Sequence, residues 1–187
     1  MKIVDRAIEN KYIKGDSSEF PEIKQIVEEN SELLIKLNYN YQDKQQRLEL
    51  LSQITHQTVS STNEINTPFH TDFGPHIFLG ENDFINKDCM FVDLGGIYLG
   101  NNVLIGPRCT IISINHDEEP EHRTNLLPKA VHIHDGAWLG AGVMVLPGVT
   151  IGKNAIVGAG SVVTKNVPEN MVAVGNPAKV IRKIQNN

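Results

Sequence analysis

Histidine is the side chain best suited to proton transfer in this sequence, and four histidines lie between residues 116 and 134. An imidazole with an unperturbed pKa of about 6.5 can accept a proton at neutral pH and so act as a general base. His116 ends the run Ser113-Ile114-Asn115-His116, which directly follows an apolar segment. We take His116 as the candidate base. An ordinary surface histidine in a loop is the alternative that the residues leave open.

The same cluster of histidines also invites a metal hypothesis. Its members are His116, His122, His132 and His134. The chain has no His-Glu-x-x-His or Cys-x-x-Cys spacing, and Cys89 and Cys109 are too few for a disulfide framework, so both read as reduced core residues. We therefore expect no metal. A zinc hydratase of the carbonic-anhydrase type, or a purely structural β-helix trimer, remains the alternative from another class.

Other candidate residues are an outward tryptophan and a group of late cations. Trp138 is the only tryptophan, and an exposed indole needs a partner, either another subunit or a ligand. Lys165, Lys179 and Arg182 follow the last apolar repeats. Three cations there suit a polyphosphate, although solvated surface charges would give the same pattern.

The elements that must position these side chains follow a six-residue period. The register residues are Leu79, Ile85, Phe91, Leu99, Ile105, Ile111, Ile133, Leu139, Val145, Ile151, Val157 and Val163. A small residue usually follows, which suits a sharp corner where a Cβ would clash or φ must be positive. Three short strands then close one coil, and the register residues stack in an apolar column. The pattern predicts an all-β fold, a parallel β-helix of hexapeptide repeats.

Two interruptions and an upstream segment complete the organisation. The step between Phe91 and Leu99 is longer, which predicts a bulge near Gly95. Residues 113–130 lack the repeat and read as a polar loop extruded from the solenoid. Apolar spacing from Glu22 to Ile54 predicts two amphipathic helices that separate near residues 38–40. We expect an N-terminal helical segment over 1–65 and a β-helix domain with a C-terminal tail over 66–187.

Charge and composition exclude several classes of binding partner. The net charge is −5 and the cations are scattered, which argues against nucleic acid. No stretch approaches the ~18 to 20 apolar residues that span a bilayer, and Met1 to Lys11 contain no apolar region typical of a signal peptide. We therefore expect no membrane partner and a cytoplasmic location. Outward positions of the coils are unusually apolar, which predicts a closed trimer: Met90, Tyr98, Leu104, Ile112, Trp138, Met144, Leu146 and Ile156.

Several motifs carry a resemblance to a known family. The stretches 137–152 (AWLGAGVMVLPGVTIG), 157–165 (VGAGSVVTK) and 175–182 (GNPAKVIR) strongly resemble the maltose/galactoside O-acetyltransferases, a family of hexapeptide-repeat enzymes. Residues 68–74 (PFHTDFG) and the upstream helices look like that family's substrate-side region. The likeness covers nearly the whole chain and is most specific after residue 130.

The resemblance implies a left-handed β-helix and a homotrimer with active sites between adjacent subunits. It implies acetyl-CoA as co-substrate and a sugar or related hydroxyl acceptor. His116 matches the family's catalytic base, and Asn86 lies beside the acceptor. The other acceptor-side residues are Asp16, Asp72, Phe84 and Asp93. The cofactor-side residues are Trp138, Ala141, Ala159, Thr164, Lys165, Lys179 and Arg182, and some members have, at the position of Ala141, a serine whose N–H faces the thioester.

The acceptor region departs from the family pattern. Residues 12–16 match the usual start only loosely, and the loop after His116 is shorter than in galactoside-specific members. The donor is therefore better constrained than the acceptor. An acetyltransferase for an antibiotic or other xenobiotic hydroxyl is the alternative enzyme.

Overall fold

Two helices precede the solenoid, as the apolar spacing predicts. The structure, a computed structural model, describes residues 12–185, so the expectation for residues 1–11 lies outside the described part. The helices are α1 (Glu19–Tyr39) and α2 (Lys44–Thr55). Asp43 and Gln46 exchange side-chain to main-chain hydrogen bonds in a capping box, which fixes where α2 begins. No helix within 12–185 is both long and apolar enough to cross a membrane.

The chain then winds into a parallel β-solenoid of about 6 turns with three sides. The first sheet contains β1 (Glu64–Ile65), β4 (Phe84–Ile85), β7 (Leu104–Ile105), β12 (Trp138–Leu139), β15 (Ile156–Val157), β17 (Met171–Gly175) and β18 (Ala178–Lys183). The second sheet contains β2 (Phe69–Thr71), β5 (Cys89–Val92), β8 (Thr110–Ile112), β13 (Met144–Val145) and β16 (Val162–Val163). The third sheet contains β3 (Ile77–Phe78), β6 (Ile97–Leu99), β11 (Val131–Ile133) and β14 (Thr150–Ile151). The expected left-handed β-helix of hexapeptide repeats with a small α-helical segment is confirmed.

The register residues form the core of the solenoid. All are buried except Leu79, which directly follows β3 and is half-buried. Cys89 and Cys109 are free, buried thiols in the same core, as the sequence predicts. Neighbouring coils pair in parallel with consistent register, for example Leu139 opposite Val157. Each coil therefore depends on its neighbours for both hydrogen bonds and burial.

Glycine follows many register residues because the coils approach each other closely there. A Cβ on Gly80 would lie 2.2 Å from the carbonyl oxygen of Gly100, and one on Gly140 would lie 2.7 Å from the nitrogen of Ala159. Positive φ is not the reason at these positions. The left-handed residue of a corner comes two positions later, as at Gly142 with φ +66°.

The segment 113–130 is more ordered than the irregular loop that the sequence predicts. It contains an antiparallel hairpin of β9 (Ile114–His116) and β10 (Leu126–Pro128), with a short 3-10 helix, Pro120–His122, at its tip. It leaves the solenoid at Ser113 and returns at Lys129, whose N–H donates to the Ser113 carbonyl at 2.8 Å. Pairing the two strands satisfies main-chain groups that the missing repeat leaves unpaired.

Two of the three corners matter for the site. The first corner joins the first sheet to the second and consists of residues 86–88, 106–108, 140–142 and 158–160. The second corner joins the second sheet to the third and carries residues 93–96, the hairpin, 146–148 and 164–166.

The outward apolar residues do not form a single face. Leu104 and Trp138 lie on the first sheet, and Met90 and Met144 lie on the second. Tyr98 lies on the third sheet, where its ring stacks on its neighbours. An oligomer that covers this surface must therefore contact more than one side of the solenoid.

Candidate functional site

His116 ends β9 with an exposed side chain. Its Nδ1 lies 2.7 Å from the main-chain oxygen of Arg123 at the hairpin tip. A carbonyl oxygen can only accept a hydrogen bond, so this contact assigns the hydrogen of the neutral ring to Nδ1 and leaves a free lone pair on Nε2. The hairpin thus presents an imidazole that is anchored at one nitrogen and basic at the other, which is the arrangement a general base requires.

The other histidines of the cluster have separate surroundings. Nδ1 of His122 lies 2.8 Å from a carboxylate oxygen of Glu119. His132 stacks on Tyr98 with ring centroids 4.8 Å apart, and burial, followed by the proximity of His134, lowers the pKa of His132. Within the part of the chain that the structure describes, no group of three or more His, Cys, Asp or Glu side chains is arranged to hold a metal ion.

Three of the expected site residues share the first corner. Asn86 is half-buried there, and Ala141 and Ala159 occupy the exposed middle positions of two successive coils. The coils are held together at this point by the N–H of Gly160, which donates to the carbonyl of Ala141 at 2.8 Å. Trp138 lies just before the corner on the first sheet, with 49% of its surface exposed. An indole face and a row of accessible main chain therefore lie side by side.

The first corner also offers main-chain donors. Each of its last two turns has a left-handed residue, Gly142 with φ +66° and Gly160 with φ +70°. The N–H groups of Ala141 and Ala159, which precede these glycines, have no hydrogen-bond partner among the described residues. Both alanines are exposed and small, so this corner is open to a ligand. Rigid, unpaired N–H groups suit a developing negative charge on oxygen.

Asp93 is fully buried at the second corner, and its carboxylate organises the turn after β2. It accepts from the Thr71 hydroxyl at 2.5 Å and from the N–H groups of Phe73, Gly74 and His76 at 2.9 to 3.1 Å. Such a carboxylate positions main chain. Its zero exposure in the single chain leaves no route for direct contact with a ligand.

Asp72 lies next to Asp93 and is half-buried. Its Oδ1 accepts from the N–H of Asp93 at 2.9 Å. Burial, together with the charge of Asp93, raises the pKa of Asp72 to about 7. Burial also raises the pKa of Asp93, although the hydrogen bonds that it accepts oppose this shift, so the two carboxyls titrate as one coupled pair.

Asp16 and Phe84 lie in different places. Asp16 is exposed and lines a cavity of about 470 Å³ between the N-terminal strap, residues 12–16, and the hairpin. The cavity is lined by Tyr12, Lys14, Asp16, Glu121, His122, Thr124 and Asn125. Phe84 is half-buried on the outer surface of the first sheet, in the same column as Leu104 and Trp138.

Comparisons with known proteins agree with this architecture. The family model of the bacterial transferase hexapeptide (six repeats) matches residues 130–165. A galactoside O-acetyltransferase from Lactococcus lactis is 38% identical over 175 residues, covering 90% of this chain and 84% of that protein. The chain belongs to the hexapeptide-repeat acetyltransferases.

Two solved structures extend the likeness to the whole fold. The maltose O-acetyltransferase from Clostridium difficile 630 matches with a TM-score of 0.89 at 33% identity, over 100% of this chain and 99% of that one. A hexapeptide-repeat acetyltransferase from Vibrio cholerae O1 biovar eltor, complexed with acetyl coenzyme A, matches with a TM-score of 0.84 at 27% identity, over 100% of both chains. The resemblance stated from the motifs is confirmed, and the protein is an acyltransferase.

In this acetyltransferase the expected cofactor residues beyond the first corner are spread along the C-terminal end. Thr164 and Lys165 lie in the turn after β16, at the second corner. Lys179 and Arg182 lie on β18, which pairs antiparallel with β17. All four are exposed, so their side chains are accessible to a charged ligand.

Five of the expected site residues of this acetyltransferase lie at two separate corners within one chain. Asn86, Ala141 and Ala159 lie at the first corner, whereas His116 and Asp72 lie at the second. The second sheet separates them.

Three site features could not be located from the sequence. They are the Arg123 carbonyl that anchors His116, and the side chains of Tyr12 and Asn125, which hydrogen-bond to each other where the two strands of the hairpin separate. No spacing signal marks them, because each contact joins segments whose pairing exists only in the folded hairpin.

Proposed function

We propose that this acetyltransferase moves an acetyl group from acetyl-CoA to a hydroxyl of a sugar or sugar-like acceptor, with His116 as general base. The observation that carries the proposal is the hydrogen bond from His116 Nδ1 to the Arg123 carbonyl, which leaves Nε2 exposed and basic. The names of the Lactococcus and Clostridium relatives support a sugar acceptor, and the acetyl-CoA complex of the Vibrio relative supports the donor.

The reaction follows from the chemistry of the partners. A sugar hydroxyl is a poor nucleophile at neutral pH, so Nε2 of His116 takes its proton as the oxygen attacks the thioester carbonyl. The carbonyl oxygen gains negative charge, and the unpaired N–H of Ala141 stabilises it. Collapse of this intermediate breaks the C–S bond, and the imidazolium returns its proton to the departing CoA sulfur. No acyl-enzyme is required.

The donor would lie along the first corner. The exposed face of Trp138 packs against the pantetheine arm, and the N–H of Ala159 is a second main-chain donor beside it. Lys179 and Arg182, with Thr164 and Lys165 on the next corner, provide donors and positive charge for the phosphates and nucleotide.

The acceptor would lie between the hairpin and the N-terminal strap, residues 12–16. The cavity beside Asp16 is polar and large enough for a sugar ring, and Asp72 presents a half-buried carboxyl at the second corner. In the trimer, Asn86 and Phe84 of the neighbouring subunit would lie on the acceptor side. Asp93 acts by holding the turn on which Asp72 lies.

We assign the complete site to a homotrimer. In one chain, His116 and the main-chain donors lie at opposite ends of the strands of the second sheet. A direct transfer therefore requires His116 of one subunit to meet Ala141 of the next. Exposed apolar side chains on the first and second sheets, including Trp138 and Met144, give a symmetric trimer the surface it needs.

His116→Ala tests the mechanism, with His134→Ala as a matched loss of an exposed imidazole. CoA release from acetyl-CoA is measured with a panel of glycosides and antibiotics. Loss of a general base costs about 10²- to 10⁴-fold in kcat, so His116→Ala should fall by that factor and His134→Ala should keep its activity. Normal transfer by His116→Ala would exclude His116 as the base.

The same panel tests the acceptor class. Modification of antibiotics in preference to glycosides would replace the sugar acceptor with a xenobiotic one. Stoichiometric zinc in the purified protein, without binding to immobilised CoA, would favour a zinc hydratase instead.

A further inference from the structure

The N-terminal strap, residues 12–16, lies beside the hairpin that carries His116 and contacts it through an isolated antiparallel bridge. Ile13 exchanges two main-chain hydrogen bonds with Leu126, at 2.9 and 2.8 Å. Leu126 in turn lies directly opposite His116 in the pairing of β9 with β10. A segment more than a hundred residues away in sequence is therefore one strand removed from the base. The side chain of Ile13 is 2% exposed, in a small core with Phe73.

The Tyr12 hydroxyl bridges the two strands of the hairpin where they separate. It donates to Oδ2 of Asp117 at 3.0 Å and accepts from Nδ2 of Asn125 at 2.5 Å. Asp117 is the residue directly after His116, and Asn125 is the residue directly before β10. The amide oxygen of Asn125 also accepts from the N–H of Gly15 at 2.8 Å, so the strap holds Asn125 from two points.

Asp117 and Asn125 begin and end the turn that contains Arg123, whose carbonyl holds His116. Oδ1 of Asp117 accepts from the N–H of Glu119 at 3.1 Å, and the N–H of Asn125 donates to the carbonyl of His122 at 2.8 Å. Arg123 lies within the second of these contacts, between His122 and Asn125, and its carbonyl accepts the hydrogen bond from His116 Nδ1. The N–H of Asp117 donates to the carbonyl of Asn125 at 3.3 Å, and the Tyr12 phenol oxygen joins the side chains of the same two residues. The position of the Arg123 carbonyl thus depends on a turn that the phenol helps to close.

The protonation states suit this bridge. Desolvation, followed by the hydrogen bond to Asp117, raises the pKa of Tyr12, so the phenol remains a donor at neutral pH. The N–H of Glu119, followed by the Tyr12 hydroxyl, lowers the pKa of Asp117, so the carboxylate remains an acceptor. Both groups keep one role across the pH range in which His116 would work.

We propose that Tyr12 is a positioning residue for catalysis: its hydroxyl clamps the hairpin so that the Arg123 carbonyl holds His116 with Nδ1 protonated and Nε2 free. The consequence for the rate rests on the proposed function of His116 as base. The clamp itself is a property of the free protein. No ligand is needed for its hydrogen bonds, so the two statements can be tested separately.

Tyr12→Phe removes the bridging oxygen and keeps the ring. Tyr41→Phe is the matched control, because Tyr41 is 95% exposed between α1 and α2, away from the hairpin. A slight misplacement of a catalytic group can cost as much as about 10²-fold, so we expect kcat of Tyr12→Phe to fall roughly 10- to 100-fold. The KM for acetyl-CoA and the unfolding midpoint should stay near the wild-type values, since neither the first corner nor the solenoid core changes.

The spectroscopic readout is the ¹⁵N chemical shift of the His116 ring without substrate, assigned by its disappearance in His116→Gln. Wild type and Tyr41→Phe should show one neutral tautomer with the hydrogen on Nδ1, and Tyr12→Phe should show a mixture. An unchanged ring signal in Tyr12→Phe would overturn the clamp whatever the rate. A changed signal with a normal kcat, while His116→Ala is inactive, would overturn its role in positioning. If His116→Ala remains active, the proposed base fails, and the ring signal alone then decides whether the clamp exists.

Discussion

Replacing Ala141 by proline would remove one main-chain N–H and preserve the shape of the first corner. Ala141 is the second residue of a turn whose third residue, Gly142, is left-handed with φ +66°. Proline is favoured at that position of such turns. The chain already uses it, since Pro107 holds the equivalent place one coil earlier and is followed by Arg108 with φ +60°. The change is therefore compatible with the local backbone.

The expected magnitude comes from the role of the lost donor. The N–H of Ala141 has no partner among residues 12–185, so its loss breaks no hydrogen bond of the resting protein. Removing one donor from an oxyanion site costs about 10²- to 10³-fold in kcat, or about 3 to 4 kcal/mol of transition-state stabilisation. Proline at a compatible site stabilises the fold by roughly 0.4 to 1 kcal/mol, because the unfolded chain loses freedom.

The assay compares kcat for acetyl transfer with the midpoint of thermal unfolding for each variant. Lys153→Pro is the matched control, because Lys153 holds the same turn position at another corner and precedes a left-handed Asn154. Ala141→Ser keeps the N–H and tests the added side chain. We expect low activity only for Ala141→Pro, with unfolding midpoints at or above that of the wild type in both proline variants.

One result would refute the reasoning directly. If Ala141→Pro folds and assembles like the wild type and retains near-normal kcat, the N–H of Ala141 does not stabilise the transition state. If Lys153→Pro loses activity to the same extent, proline acts through the solenoid as a whole, and the assignment to Ala141 has no support.

Two further changes test the acid pair and the shared site. In Asp72→Asn the carboxyl with a pKa raised to about 7 is gone. A raised carboxyl pKa means that the folded state binds the proton more tightly, so wild-type stability should fall as pH rises from 3.8 to about 7. The variant should lose the part of this fall that Asp72 causes and should resist urea better than the wild type above pH 7, whereas Glu32→Gln should follow the wild type. Identical pH dependence in Asp72→Asn and wild type would contradict the raised pKa. For the shared site, mixed trimers of His116→Ala and Ala159→Trp subunits should recover part of the activity that each homotrimer lacks, because one interface then pairs an intact base with an intact corner. No recovery in verified mixed trimers, or full activity in a monomer, would refute it.

The solenoid and its first corner could be predicted because the repeat is short and uninterrupted there. Ala141 and Ala159 each follow a register residue by two positions, and they are three repeats apart. Any three-sided coil with that period must stack them on one corner, independently of their side-chain contacts. Trp138 is outward for the same reason. These expectations needed only the alternation of inward and outward positions.

The second corner could not be predicted to the same depth because its geometry depends on contacts that break the repeat. The sequence gives no sign that Asp93 is sealed under the turn at Gly74, or that Tyr12 reaches Asn125. Both arrangements come from pairing between distant segments. The six-residue period says only that a loop leaves the solenoid near residue 113, and the hairpin pairing that orients His116 follows from hydrogen bonds within that loop.

The way in which the hairpin is attached explains why a single chain would not complete the site. A base must reach the first corner from outside the coil, so the hairpin could either fold back over its own solenoid or extend over a neighbour's. Ile13 pairs with Leu126 and is buried with Phe73 and Leu94, so the strap fixes the hairpin to the second corner. Folding back would break this small core and the bridge through Tyr12, whereas extension leaves both intact. The contacts that orient His116 therefore also hold it away from the N–H groups of Ala141 and Ala159 in its own chain, and in the proposed trimer a symmetric neighbour would supply these groups without a change in the fold.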